Sequence, residues 1–266
     1  LKHGGIANRT KVTIKWVDSE FLKPEALDDT FAGVDGIIIP GGFGSRGTEG
    51  MILAANYARE NKIPFLGICL GMQMAMVAFA RNVLGYADAN SSELDPETTH
   101  PVVDLMPDQN GVENLGGTLR LGSYPCVLDK KSKAYSLYGT DMINERHRHR
   151  FEINNDYRDD FTSHGMMLSG QSPDGHIVEM IELPDHPFYV GIQAHPELKS
   201  RPNHAHPLFA GFVESAEEQG VLRRAKKLLM KRNHLSEPEA HRYLQKTSMD
   251  TGRTMTESAH MVTMLI

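Results

Sequence analysis

Two short motifs, far apart in the chain, hold the residues able to do covalent chemistry. Gly67-Ile68-Cys69-Leu70-Gly71 places a cysteine between an apolar run at 64–68 and a run at 72–80 that lacks proline and glycine. The first has the composition of a buried strand and the second that of a helix, so the cysteine stands on a strand-to-helix corner. Flanking glycines let the backbone turn sharply there. A helix N-terminus adds partial positive charge and free N–H groups, which stabilise a thiolate and a developing oxyanion. His195-Pro196-Glu197 supplies the partners. In an extended segment residues i and i+2 project to one side, so Glu197 can orient the imidazole of His195 and the imidazole can activate the thiol. Each motif alone has a plainer reading, a small buried hydrophobe for Cys69 and a turn for His-Pro-Glu. Together they specify a nucleophile, a base and an orienting carboxylate.

A third stretch, Arg146-His147-Arg148-His149-Arg150-Phe151-Glu152, alternates two basic residue types. Period two sets the arginines on one face and the histidines on the other. A metal at His147 and His149 has no third ligand nearby in sequence, and no metal is expected. The surrounding segment is acidic, which argues against nucleic acid. An arginine that holds a substrate carboxylate is the sharper reading. Cys126 stands beside Pro125 with no base near it in sequence and is expected to be inert.

The elements that must position these residues read as an α/β domain. Residues 12–17 and 34–39 have strand composition, and the second run enters Pro40-Gly41-Gly42-Phe43-Gly44, a loop that calls for special backbone geometry without matching a phosphate-binding pattern. A helix over 48–61 precedes the cysteine corner. This order implies a doubly wound sheet with a parallel part, in which ligands sit at the carboxyl ends of the strands. Further on, short strands at 101–106, 117–128, 146–153, 165–170 and 177–183 are separated by Asp, Asn, Pro and Gly turns, so the sheet is mixed. A last strand at 189–194 delivers His195. The chain opens on Leu1-Lys2-His3-Gly4-Gly5, which reads as the final turn of a helix with a glycine stop and as a start that has been cut off.

The 266 residues suit one domain of about 200 residues with a small appendix. Two cysteines make no disulfide framework and suit a reducing, cytoplasmic setting, and no apolar run is long enough to span a membrane. Charge divides the chain. Residues 221–266 carry nine Lys+Arg against four Asp+Glu, a net of +5, which leaves −11 on the rest. In this tail Val221, Leu222, Ala225, Leu228 and Leu229 mark one helix face. Ser236 to Glu239 and Thr254 to Glu257 are capping boxes, the first opening a helix that turns Ala240, Tyr243 and Leu244 inward and the second one with Ala259, Val262, Leu265 and Ile266. Three short helices are expected.

The motifs at 40–44, 67–73, 146–152 and 195–197, together with Ala89-Asn90-Ser91-Ser92-Glu93 and His206-Pro207-Leu208-Phe209-Ala210-Gly211-Phe212, resemble the class I glutamine amidotransferases, and among them the glutaminase domain of CTP synthases. The likeness covers residues 1–219. It implies that Cys69 is the nucleophile, His195 the base and Glu197 its orienting acid, with backbone N–H groups of Gly42 and Leu70 as the oxyanion hole. It further implies that L-glutamine is held by Gly42, Leu70, Gly71, Met72, Gln73, Glu93 and Arg150, the last pairing with the α-carboxylate. The family's first strand and most of its first helix are expected to lie outside this chain, as is the synthetase domain that would use ATP, Mg and UTP and receive the ammonia. No cofactor is expected within the chain itself; GTP is the family's activator. Residues 220–266 resemble an ANTAR domain, an RNA-binding antiterminator module, which implies phosphate contacts from Arg223, Arg224, Lys226, Lys227, Lys231 and Lys246. Ordinary CTP synthases lack such a module, so the chain reads as a fusion or as two gene fragments joined. The alternative to a glutaminase is an RNA-binding regulator whose amidotransferase part only senses glutamine.

Overall fold

The computed structural model describes residues 1–105 and 120–264, and these fall into two compact units, residues 1–213 and 214–266. Met106 and residues 117–119 of the expected strands, and Leu265 and Ile266 of the last expected helix, lie outside the described residues.

In the first unit the elements run α1 (Lys2–Ala7), α2 (Leu27–Phe31), β1 (Ile37–Ile39), α3 (Thr48–Glu60), β2 (Phe65–Ile68), α4 (Leu70–Phe79), β3 (Asn90–Ser91), β4 (Pro101–Asp104), β5 (Arg120–Leu128), α5 (Lys133–Tyr138), β6 (Met142–His149), β7 (Glu152–Ile153), α6 (Arg158–Ser163), β8 (Met167–Gln171), β9 (Val178–Glu182) and β10 (Tyr189–Ile192). Helix α7 (Pro207–Asn233) begins in this unit and continues into the second. Seven strands form one sheet in the order β1-β2-β10-β9-β8-β5-β6, and β3-β4-β7 form a small second sheet. The pairs β1–β2 and β2–β10 are parallel; the remaining pairs of the large sheet are antiparallel. The mixed α/β sheet with flanking helices is thus the one expected.

The three parallel strands form the part that matters for chemistry. Phe65 is in register with Ile37 on one side and Tyr189 on the other, so Ile39, Ile68 and Ile192 end on one edge. Every residue of β2 and of β10 is buried, as strands covered on both faces must be. One apolar cluster joins β1 to α3 and α4 through Phe65, Met72, Met76 and Tyr189. A second joins Leu66, Val190 and Ile192 to Leu208, Phe209 and Phe212 at the start of α7.

Two expectations fail at the N-terminus. Residues 12–17 form no strand, although they alternate like one. A strand exists through a partner's hydrogen-bond ladder, and none of the described strands pairs with them; Ile14, Trp16 and Val17 accordingly stay exposed. Helix α1 does not stop at glycine. It runs through Gly4 and Gly5 to a cap at Asn8. The glycines are there for space: a Cβ on Gly4 would stand 2.3 Å from the Phe209 carbonyl oxygen, and one on Gly5 2.7 Å from that of Thr10.

The second unit holds the rest of α7, then α8 (Glu237–Thr251) and α9 (Met255–Met264). Val221, Ala225 and Leu229 of α7 pack with Ala240 and Leu244 of α8 and with Ala259 and Val262 of α9. Both capping boxes close: Ser236 N–H donates to Glu239 at 2.8 Å and Thr254 N–H to Glu257 at 2.8 Å. Tyr243, expected inside, is 46% exposed. Helix α8 buries a stripe only two residues wide, and a phenol on its margin keeps its hydroxyl in water. The first of the three expected helices is no separate short helix but the continuation of the 27-residue α7.

Candidate active site

Cys69 caps α4 with φ 51° and ψ −106°, so the strand-to-helix corner is a sharp turn with strained backbone. The glycines do a different job from the one their sequence suggests. Neither Gly67 nor Gly71 has a positive φ; the turn is made at the cysteine itself. A Cβ on Gly67 would meet the Gly71 carbonyl oxygen at 2.7 Å, and one on Gly71 the Ile39 carbonyl oxygen at 2.1 Å. These glycines let α4 lie against β1 and β2. The corner is pinned by the Cys69 N–H, which donates to the Ile192 carbonyl at 2.7 Å, and the sulfur is buried with 4% of the residue exposed.

His195 follows β10 on the same edge. Its N–H donates to the Arg146 carbonyl of β6 at 2.7 Å, and its Nδ1–H donates to Glu197 Oε1 at 2.7 Å. Glu197 reaches the ring not along the extended segment that the sequence suggests but from a 3₁₀ turn over Pro196–Leu198, closed by Leu198 N–H to the His195 carbonyl. Proline at the start of the turn fixes it. With Nδ1 engaged, Nε2 is the ring's remaining nitrogen, and it is buried. Cys69 first and Glu197 second raise the His195 pKa to about 10 against the cost of burial, so the ring is a cation at neutral pH. Nε2 itself has no hydrogen-bond partner of ordinary geometry. Glu197 is held below its ordinary range: burial raises it, and the bond from His195 more than offsets that.

The Gly41-Gly42 loop closes the third side. A Cβ on Gly41 would lie 2.8 Å from His195 Cε1 and 3.5 Å from the Cys69 Cβ, so only glycine fits between His195 and Cys69. Gly42 lies beside Leu70: a Cβ there would stand 3.2 Å from Leu70 Cδ2. Leu70, Gly71 and Met72 form the first turn of α4, where N–H groups have no partner within the helix. Gln73, in contrast, is occupied. Its Nε2 donates to the Phe151 carbonyl at 3.0 Å and to Gln193 Oε1 at 3.2 Å, and Gln193 Nε2 donates to Cys69 Sγ at 3.6 Å. Glu93 and Arg150 stand near one another. Burial raises the Glu93 carboxyl and the Arg150 charge partly offsets this. Arg150 sits on the bend after β6, past the end of the alternation that was to set it beside Arg146 and Arg148.

The alternation itself holds within β6. Arg146 and Arg148 point outward, while Glu145, His147 and His149 are buried. The two imidazoles are 2.9 Å apart. Burial, with Arg120 close by, lowers His147 to about 3 and His149 well below its ordinary value, so both are neutral. Arg120 of β5 bridges Glu152 at 3.2 Å and Glu179 at 2.8 Å beneath them. Among the described residues no group of three or more His, Cys, Asp or Glu side chains is arranged to hold a metal. Cys126 is buried, and desolvation with Glu179 and Glu145 pushes its thiol up to about 12. Sequence reasoning placed Gly41 in the glycine loop without giving it a role, and it missed Gln193 and Arg120. Gln193 precedes His195 by two residues, the same period that links His195 to Glu197; Arg120 carries no local signal.

In the second unit Arg224, Lys227, Lys231 and Lys246 are exposed and Arg223 is half-buried. Lys226 is paired with Glu237 at 2.6 Å. Among the described residues no helix is long and apolar enough to cross a membrane.

Comparison with known proteins gives this geometry a lineage. The description Glutamine amidotransferase class-I matches residues 1–215, and ANTAR domain matches residues 212–262. The CTP synthase of Clostridium beijerinckii is 57% identical over 219 residues, which are 82% of this chain and 41% of that protein. That of Carboxydothermus hydrogenoformans is 57% identical over 213 residues, 80% of this chain and 40% of that protein. The chain therefore spans about two fifths of the length of these relatives. The glutaminase domain of Trypanosoma brucei CTPS, solved with bound acivicin, superposes with a TM-score of 0.77 at 36% identity, covering 82% of this chain and 85% of that one. With the strand-to-helix corner, the strand edge and the match over residues 1–215 in agreement, the chain belongs to the class-I glutamine amidotransferase family.

Proposed function

We propose that the chain hydrolyses glutamine to glutamate and ammonia as the glutaminase part of a CTP synthase. The observation that carries this is the convergence, on one strand edge, of Cys69 at a helix N-terminus and the His195–Glu197 pair bonded at 2.7 Å. The Cys69 thiolate attacks the side-chain amide carbon, and the N–H groups of Gly42 and Leu70 receive the oxyanion. Protonated His195 gives its proton to the amide nitrogen, the C–N bond breaks, and ammonia leaves a thioester on Cys69. Water then attacks with His195 as base, glutamate departs, and thiolate and imidazolium are restored. Every step uses side chains and backbone N–H groups of this chain. Amination of UTP, with ATP and Mg, belongs to a synthetase domain that would take up the ammonia. A reactive glutamine analogue such as acivicin, bound by the trypanosomal relative, should label Cys69 in the wild type and leave Cys69→Ala unlabelled; labelling of Cys126 instead would sink the assignment.

Arg150 is the residue proposed to hold the α-carboxylate, with Glu93 toward the α-amino group. Loss of a charge-assisted contact is worth about 1.5 to 3 kcal/mol, so Arg150→Ala should raise KM for glutamine by roughly ten- to a hundredfold. Alkylation of Cys69 by iodoacetamide, which has no carboxylate to hold, should change far less. Equal losses in the two reactions would make Arg150 structural.

A second reading attaches to the ANTAR match and the exposed cations of α7 and α8: the second unit binds RNA hairpins. Arg224, Lys227, Lys231 and Lys246 are exposed where phosphates can reach them, whereas Lys226 is engaged by Glu237. Each phosphate contact releases counterions, so binding should weaken with salt, with a double-strand slope of about −0.9 per contact. In a filter-binding titration of the full chain, Arg224→Glu with Lys227→Glu should lower affinity and flatten that slope, and Lys226→Glu should act mainly on stability. Hairpin binding untouched by the first pair would remove this surface from consideration.

A further inference from the structure

The chain of side-chain amides behind the nucleophile has a fixed polarity, and that polarity bears on the sulfur. The Phe151 carbonyl can only accept, so Gln73 must present its NH₂ group there. That group has two hydrogens, and the second goes to Gln193 at 3.2 Å. Gln193 must therefore turn its carbonyl to Gln73, which leaves its own NH₂ group facing Cys69 Sγ at 3.6 Å. Rotating either amide by half a turn would set donor against donor or acceptor against acceptor, so the orientation follows from the network. Gln193 has no solvent exposure, and Gln73 only 4%. Nor can the backbone shift freely. The Gln193 N–H is held by the Glu179 carbonyl at 2.9 Å, and Gln73 lies in the first turns of α4 with its N–H on the Cys69 carbonyl.

We propose that Gln193 is a positioning residue for the nucleophile, its buried amide N–H aimed at the Cys69 sulfur so as to favour and orient the thiolate, and held in that aim by Gln73 and the Phe151 carbonyl. A thiolate is the stronger acceptor of the two sulfur forms, so a donor fixed at this place favours the anion. The same amide chain ends on Gln73, a side chain proposed for glutamine binding, so the two ends of Gln193 act on different steps. Its N–H edge serves the sulfur, and its carbonyl edge serves the substrate side. This rests on Cys69 being the reacting group but not on glutamine being its substrate.

Two substitutions in the full chain separate the edges. Gln193→Glu keeps the shape and the acceptor for Gln73 and replaces the donor at the sulfur with a carboxylate oxygen. Gln193→Met keeps the volume and removes both. With iodoacetamide as probe and mass spectrometry to read Cys69, Gln193→Glu should alkylate about tenfold more slowly at pH 7, with its pH profile moved upward by about one unit. Its kcat for glutamine should fall by a similar factor, and its KM should stay within about twofold of the wild type. Gln193→Met should show the slower alkylation together with a raised KM, because Gln73 has lost its acceptor. In the wild type, the side-chain amide resonances of Gln193 should shift when Cys69 is alkylated, a measurement that needs no variant to fold. An unmoved resonance, or an alkylation profile unchanged in either variant that melts like the wild type, would overturn the proposal. A shifted profile in a protein that does not hydrolyse glutamine would keep Gln193 in its role and remove the glutaminase reading instead.

Discussion

Cys69→Ala should lose glutaminase activity by more than about 10⁴-fold while binding glutamine with an affinity close to that of the wild type. Members of a nucleophile–base pair act as a unit, so removing the nucleophile removes nearly all the benefit of the others. The residual rate comes from binding and the oxyanion donors alone. Substrate affinity should survive, since the groups proposed to hold glutamine are Gly42, the first turn of α4, Gln73, Glu93 and Arg150 and not the sulfur. The variant should also be no less stable. A cysteine at φ 51° is strained, and alanine at that φ is no worse placed, so the gain or loss on melting should be small. Cys126 cannot substitute: its thiol is pushed up to about 12 and it lies on the far strand β5. Ammonia release from glutamine is the measurement. An alanine variant within tenfold of the wild type would place the chemistry elsewhere, and loss of glutamine binding in step with activity would make Cys69 a structural residue.

The amidotransferase motifs are legible because each couples a residue type to a local backbone demand. A cysteine between glycines at a strand-to-helix step, and a histidine one proline away from a carboxylate, announce their geometry within five residues of sequence. The helices and the parallel strands follow from apolar runs and their order. What is not legible depends on contacts distant in sequence. Gly67 and Gly71 look like turn formers but serve close approach of α4 to β1, a fact that only the Ile39 carbonyl reveals. Residues 12–17 have the alternation of a strand and lack the ladder that makes one. Gly4 of α1 imitates a helix stop because its true neighbour, Phe209, is some two hundred residues away. Gln193 lies within reach of the period-two argument that finds Glu197, yet glutamine is not a catalytic residue type by default. Helical period alone turns Tyr243 inward; at the margin of a narrow stripe, polarity decides.

Arg120 is the other residue that sequence cannot place, and its loss should be the most destabilising single change outside the apolar core. Its guanidinium is 11% exposed and bridges Glu152 and Glu179, whose side chains are 1% and 2% exposed. It also lies 4.4 Å over the Tyr124 ring. Removing one partner of a buried ion pair strands the other charge, which costs about 3 to 5 kcal/mol, and Arg120→Ala should lower stability by that amount in urea unfolding. The pH dependence identifies the cause. Burial already raises the Glu179 carboxyl above its ordinary range, and Arg120 acts in the opposite direction. Without the arginine, the folded pKa must climb further. Between the unfolded and folded pKa values the unfolded state holds fewer protons, so stability falls as pH rises through that window, and the window is wider in the variant. The deficit of Arg120→Ala should thus be large at pH 7.5 and shrink as pH is lowered toward 5. Burial is the largest cause that lowers His147 and His149, and Arg120 adds to it; removal of the arginine lets both rise, which shrinks the deficit toward low pH in the same direction. Arg120→Met combined with Glu179→Gln, which removes a charge of each sign and keeps volume, should recover part of the loss. Activity should follow stability here, since His149 and His147 of β6 rest on this network and the neighbouring Arg146 carbonyl holds the N–H of His195. A deficit under about 1 kcal/mol, or one that stays constant from pH 7.5 to 5, would mean that the buried carboxylates are satisfied by other groups and that Arg120 only fills space.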